Sequence, residues 1–86
     1  MNALPLTPAQ SKLLCNTIAR LIEAEDDTIR ADTPRSSLPE WDSIKHMEII
    51  LELENVFGIR FTSSEWIHCH EIADLATAIH SHLSNG

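Results

Sequence analysis

The sequence predicts an all-α fold: a small four-helix bundle of three main helices and one short helix, with a long loop between helices 1 and 2. Apolar residues recur at spacings of three and four in three separate segments, as in amphipathic helices. Ile59–Phe61 alternates like a strand, but a lone strand would have no partner, so we expect a connector there. Eighty-six residues leave no room for a second core, so we expect a single domain over residues 1–86.

The first helix is expected over about residues 8–25. Thr7 is a hydroxyl N-cap, Pro8 occupies the first helical position, and Gln10 completes a capping box. The apolar positions that follow are Leu14, Ile18, Leu21 and Ile22. The pattern fades near Glu25.

A loop is predicted over residues 26–42, where prolines and serines interrupt any sustained period. Its apolar residues Ile29, Leu38 and Trp41 are spaced like anchors that hold the loop against the core. Structured loops of this length are uncommon in compact domains and are often functional.

The second helix is predicted over residues 43–57. Asp42 and Ser43 are both good N-caps, and Gly58 suits the position after the C-terminus. An apolar stripe, widened by neighbouring apolar residues, predicts burial on more than one side; its members are Ile44, Met47, Ile49, Ile50, Leu51, Leu53, Val56 and Phe57. We expect the acids of this helix to face outward: Glu48, Glu52 and Glu54.

Two further helices complete the bundle. Thr62 and Glu65 form a second capping box, which predicts a short helix over 63–68. The last helix is predicted over 71–83, where the apolar stripe consists of Ile72, Leu75, Ala76, Ile79 and Leu83.

The net charge of the chain limits the kinds of molecule that it is expected to bind. Thirteen acids against six Lys and Arg give a net charge of −7, and residues 23–54 hold ten of the acids. Phosphates would repel this segment, so we expect no nucleic-acid binding. The acids favour partners with basic surfaces, although they also serve solubility.

The sequence lacks both a membrane-spanning segment and a secretory signal, and these two features predict its location. No apolar run reaches the roughly 18 residues of a membrane span. The N-terminus has no basic region followed by an apolar one, so we expect no secretory signal and a cytoplasmic location. We also expect the protein to be a monomer.

Three groupings of reactive side chains are not expected to form a catalytic or metal site. Cys15 and Cys69 are interpreted as small buried hydrophobic residues. His68 and His70 flank Cys69 but lack a further pair of ligands, so we expect no metal site. Ser43 and His46 lie three apart, but no nucleophile elbow or oxyanion motif accompanies them, so a hydrolase is a distant alternative. His80 and His82 are expected on different faces of the last helix and are assigned no role.

Ser43 is the strongest candidate on physical grounds. It lies where the long loop meets a strongly predicted helix, and the first-turn N–H groups of a helix favour an anion such as a phosphate ester. Position alone favours the simpler interpretation, in which Asp42 and Ser43 only cap the helix.

The segment LPEWDSIKHMEIILELENVFGIRF (38–61) carries a more specific signal. It resembles the signature of the acyl carrier protein family, the phosphopantetheine-binding carriers. Asp42, Ser43 and Ile44 match the family's core motif at the start of its second helix. The further matches are Met47, Glu48, Leu53, Glu54 and Phe57. The helix order of the whole chain is also similar.

The resemblance implies that Ser43 carries a 4′-phosphopantetheine arm, transferred from coenzyme A by a phosphopantetheinyl transferase. The arm's thiol would hold acyl or aminoacyl cargo as a thioester, so the protein would be a carrier and not an enzyme. A loading ligase and downstream transferases or synthases of fatty acid, polyketide or nonribosomal peptide biosynthesis would be its partners. The docking residues implied are Asp42, Ile44, Met47 and Glu48. Trp41, next to them, is a further partner-binding candidate that the resemblance does not itself supply. The alternative is a small acidic adaptor without a prosthetic group.

Three residues depart from the family's usual pattern. Lys45 stands where many members have an acid, Trp41 where small residues are commoner, and His46 follows the motif. The Trp-Asp-Ser-x-x-His form is similar to a subset of discrete carriers from specialised pathways. Trp41 is either a buried anchor of the loop or an exposed recognition residue. We expect partial burial with one edge of the indole accessible.

Overall fold

Four α-helices form the regular structure of the computed structural model, which describes residues 6–25, 28–30 and 32–85. They are α1 (Pro8–Leu21), α2 (Ser43–Phe57), α3 (Ser63–His68) and α4 (Ile72–Asn85), with a 3-10 turn at Arg35–Ser37. The described part of the chain contains no strand, so the predicted all-α bundle is confirmed. Residues 26, 27 and 31 of the predicted loop lie outside the described residues.

Local capping signals position the helix starts. Thr7 and Gln10 form the expected capping box of α1, and Thr62 and Glu65 form that of α3. Gly58 ends α2 in the left-handed conformation at φ 67°, which a glycine adopts without the steric cost of a Cβ. These contacts lie within a few residues of one another, so the sequence predicts them well.

The end of α1 differs from the prediction. The helix stops at Leu21, not near residue 25, because Glu23 turns into the left-handed region at φ 62°. The Ala24 N–H then donates to the Ala19 carbonyl at 2.7 Å, and the Glu23 N–H donates to the Arg20 carbonyl at 3.3 Å. This is a Schellman ending with glutamate where glycine is usual, so the sequence carries no clear stop signal. At the other end of the chain, α4 starts one residue later and ends two later than the predicted 71–83.

The core lies where α1 packs against α2 and α4. The large side chains with no exposed surface there are Leu14, Ile18, Ile49, Ile50, Leu53, Ile72, Leu75 and Ile79. Ile29 and Trp41 are buried and Leu38 packs against the same cluster, so all three predicted loop anchors are confirmed. Cys15 and Cys69 are free and buried, as expected.

The prediction that α2 is buried on more than one side is wrong. Ile44 is 69% exposed, and Met47 and Leu51 are each 52% exposed. These three residues follow one another at spacings of three and four, so they share one face of the helix. The core takes the opposite face, which leaves an apolar row on the surface.

Glu54 does not face solvent freely, contrary to expectation. It is half-buried, and its Oε2 accepts the backbone N–H of Phe61 at 2.8 Å. This hydrogen bond fixes the connector between α2 and α3, where Phe61 enters the core. Glu54 is therefore a structural residue of the turn.

No helix in the described residues is both long enough and apolar enough to span a membrane.

Candidate functional site

Ser43 is the first residue of α2, and the capping role belongs to Asp42. The Asp42 Oδ1 accepts the Lys45 N–H at 2.9 Å, and the Asp42 carbonyl accepts the His46 N–H at 2.8 Å. Ser43 is exposed, and its hydroxyl has no hydrogen-bond partner among the described residues. The serine oxygen is thus free at the positive end of a helix of 15 residues.

Trp41 lies directly before this cap and is fully packed. It is 3% exposed, so the prediction of partial burial with an accessible edge is wrong. Its indole Nε1–H donates to Nδ1 of His46 at 3.1 Å, and the two ring planes are inclined by 25° with their centroids 6.0 Å apart. A hydrogen-bond partner inside the fold lets the indole bury its polar end as well as its apolar body.

His46 extends this contact to α3. Its Nε2 lies 3.2 Å from the Trp66 carbonyl oxygen, so both ring nitrogens have partners. Burial lowers the pKa of His46 below its usual 6.5, opposed by the hydrogen bond to Trp66 and assisted by the positive charge of Arg35 and by His70. With both nitrogens occupied, His46 is not available as a general base for Ser43.

Arg35, in the 3-10 turn, packs over the indole ring of Trp41. The guanidinium carbon lies 5.1 Å from the indole centroid, and Nη2 donates to the Trp41 carbonyl at 3.2 Å. Nη1 lies 3.4 Å from Nδ1 of His70, and the Arg35 N–H donates to Glu71 at 2.8 Å. The sequence alone assigns no role to Arg35, because a single arginine in a loop carries no distinguishing pattern.

The exposed face of α2 contains the other predicted site residues. Ile44 and Met47 project into solvent, and Glu48 is exposed beside Lys45, whose Nζ lies 3.2 Å from its Oε1. The exposed apolar residues that were not predicted as part of a site include Leu51 on α2 and Ile67, 63% exposed, on α3. Their helical spacing resembles that of core residues, so the sequence offered no means of separating them.

The other predicted histidine and cysteine groupings do not form a metal site among the described residues. The described residues contain no group of three metal-ligating side chains. His68 and His70 are exposed on either side of buried Cys69, as expected. His82, to which the sequence assigns no role, lies 2.8 Å from Glu65 and connects α4 to α3.

Comparison with protein families shows which family this chain belongs to. A family model described as phosphopantetheine attachment site matches residues 12–79, well over half of the chain. The chain therefore belongs to this family of phosphopantetheine carriers, which are not enzymes and which bind the arm covalently. No curated protein matches the chain by sequence. The family also contradicts the alternative of an adaptor without a prosthetic group.

The described residues fit such a group. A phosphopantetheine arm attaches through a phosphodiester to a hydroxyl, and Ser43 offers one without competing hydrogen bonds. The first amides of α2 and its dipole favour the negative charge that the phosphodiester adds. As in any carrier of this class, the arm supplies a thiol for thioester cargo, and the protein presents it to modifying and biosynthetic enzymes.

Proposed function

We propose that Ser43 is the attachment residue and that residues 1–86 form a single carrier domain. The observation that supports this most directly is the exposed Ser43 hydroxyl, which has no hydrogen-bond partner among the described residues because Asp42 provides the cap. A transferase can reach the oxygen without first breaking a helix cap. Esterification would then leave the start of α2 intact.

The cargo we propose is an acyl or aminoacyl group held as a thioester on the arm. A ligase loads it, and transferases or synthases of fatty acid, polyketide or nonribosomal peptide biosynthesis receive it, in the cytoplasm and from a monomeric carrier. The arm raises the effective concentration of cargo at each partner's active site.

The docking face we propose surrounds Ser43 on α2. Ile44 and Met47 offer exposed apolar surface, and Asp42 and Glu48 offer negative charge. Exposed apolar groups bordered by charges are typical of surfaces that bind other proteins. Trp41 is too buried to contact a partner and acts through the position of Ser43 instead.

The test is the mass added by a phosphopantetheinyl transferase and coenzyme A. Ser43→Ala is expected to abolish the addition while the helical circular dichroism stays unchanged, since Asp42 still caps α2. Ser63→Ala is the matched control, because Ser63 is the first residue of α3 behind its own cap, Thr62. The control should accept one arm, and peptide mass spectrometry should place it on Ser43. Modification of the Ser43→Ala protein would refute the assignment.

A further inference from the structure

Three segments of the chain meet at the ring of His46. Trp41 reaches it from the loop, His46 itself stands in the first turns of α2, and Trp66 reaches it from α3. Trp41 occupies the position before the N-cap and His46 the fourth position of the helix. These are the two positions whose contact, in a hydrophobic staple, sets the angle at which a chain enters a helix. Ser43 lies between them.

We infer that His46 is a positioning residue for the modification of Ser43, holding the entry of α2 through a hydrogen-bonded bridge from Trp41 to Trp66. This inference rests on the proposed attachment at Ser43. Two distances support the inference: 3.1 Å from the Trp41 Nε1 to the His46 Nδ1, and 3.2 Å from the His46 Nε2 to the Trp66 carbonyl oxygen.

The bridge determines the protonation state of His46. An indole nitrogen can only donate, so Nδ1 must accept and carries no hydrogen. A carbonyl oxygen can only accept, so Nε2 must carry the hydrogen. The bridge therefore requires the neutral imidazole in its Nε2–H form.

A second proton on the ring would break the bridge, because Nδ1–H and the indole N–H would then point donor against donor. The charged groups that face His46 oppose that proton too. Arg35 approaches from the 3-10 turn, and His70 approaches from the connector before α4, its ring centroid 6.2 Å from that of His46. Burial has the largest effect and lowers the pKa of His46, Arg35 and His70 lower it further, and the hydrogen bond to the Trp66 carbonyl opposes them without reversing the direction. The bridge is therefore intact at neutral pH and is lost on acidification.

The first experiment measures the bridge in the unmodified protein. Nitrogen-15 chemical shifts of the His46 ring should report the Nε2–H form at neutral pH. The protection of the Trp41 indole N–H against solvent exchange, measured relative to a free indole at the same pH, should be high at neutral pH and should fall as pH drops through the titration of His46. A ring in the Nδ1–H form, or an indole N–H that exchanges equally fast in wild type and in His46→Leu, would overturn the inference.

The second experiment measures kcat/KM of the transferase for each variant between about pH 5 and 8, the range in which histidine titrates. His46→Gln keeps one acceptor and one donor on a group that does not titrate, so dividing the wild-type value by that of His46→Gln removes the transferase's own pH dependence. This ratio should fall on acidification. At neutral pH, His46→Leu should lose roughly fivefold, the worth of about one neutral hydrogen bond, and His46→Gln should recover most of it.

His70→Gln is the control for the neighbouring imidazole. Its kcat/KM, divided by that of His46→Gln, should fall on acidification as the wild-type ratio does. A ratio that stays constant with pH, or a fall that disappears in His70→Gln, would overturn the role of His46, as would wild-type activity in His46→Leu. Failure of the proposed function looks different, because the Ser43→Ala protein would then still accept the arm whatever residue stands at position 46.

Discussion

Lys45 Nζ lies 3.2 Å from Glu48 Oε1 on the exposed face of α2, next to the proposed attachment serine. Both side chains are substantially exposed, so the ion pair contributes little to stability, about 0.2–1 kcal/mol. Its effect on the surface charge is larger. Glu48 is expected to attract basic partners, but Lys45 neutralises part of its charge. The pair therefore weakens the negative electrostatic field around Ser43.

Reversing these charges should change the rate of docking in opposite directions. Glu48→Lys should slow association with the transferase, and Lys45→Glu should accelerate it, because electrostatic steering depends on the local charge. The difference should shrink as salt rises, since exposed charges are screened beyond about 8 Å at physiological ionic strength. Stopped-flow association rates at several salt concentrations measure both effects.

Lys12→Glu is the matched control for this prediction. It makes the same change of net charge on α1, where Lys12 is exposed, and should alter the rate less than Lys45→Glu does. Equal effects of the two variants would show that net charge and not the α2 face governs association.

The burial of Trp41 predicts a large loss of stability on truncation. Trp41→Ala should lower the free energy of unfolding by about 3–5 kcal/mol, because it leaves a cavity between the loop and α2. Trp41→Phe keeps most of the apolar contact and should lose about 1 kcal/mol with the hydrogen bond to His46. Urea unfolding measures both variants. A Trp41→Ala protein that melts within about 2 °C of wild type would contradict the packing, since 1 kcal/mol moves a domain this small by about 4–8 °C.

The Glu65–His82 contact predicts how stability depends on pH. Burial alone would raise the pKa of Glu65, but the hydrogen bonds from His82 and Thr62 outweigh it and hold the pKa below its usual 4.5. A carboxyl whose pKa is lower in the folded state adds stability above its unfolded pKa and loses it as pH falls through the folded value. The contribution from Glu65 should therefore be fully present at neutral pH, begin to decline near pH 4.5 and be lost as pH falls through the lower pKa of the folded state.

Thermal melts of histidine variants on α4 isolate this contact. His82→Phe keeps a ring near Phe61, whose centroid lies 6.0 Å from that of His82, but removes the hydrogen bond. It should cost about 0.5–1.5 kcal/mol at neutral pH and less in acid. His80→Phe, two residues away on the exposed side of α4, should leave the melting temperature nearly unchanged. A loss that is the same at pH 7 and pH 3.5 would contradict the role of the Glu65 carboxylate.

The buried cysteines predict selective chemistry at the arm. Burial raises the pKa of both thiols, with Asp32 adding to the shift at Cys15 and Asp74 at Cys69. Because the thiolate is the reactive form, both side chains should react slowly with iodoacetamide at neutral pH. The folded unmodified protein should take up almost no label and the modified protein one equivalent, on the arm. Denaturant should expose both cysteines, and rapid labelling of either in the folded protein would contradict their burial.

Much of this protein is encoded locally. The capping boxes at Thr7 and Thr62, the aspartate cap before Ser43 and the glycine after α2 all act through contacts within about one helical turn. A contiguous motif also indicates the phosphopantetheine family, and the family match over residues 12–79 confirms it. Patterns that span three or four residues can be recognised in the sequence alone, because the helix itself brings those residues together.

The tertiary structure alone decided which groups surround the start of α2. His46 meets a carbonyl 20 residues away and Arg35 meets a carboxylate 36 residues away. Such pairs form when separate secondary-structure elements pack together, and no spacing of residues in the sequence predicts them. The same reason explains why Trp41 is more buried than expected and why Ile44, Met47 and Leu51 remain exposed. Apolar periodicity identifies a helix, but only packing against its neighbours determines which of its apolar residues enter the core and which remain at the surface.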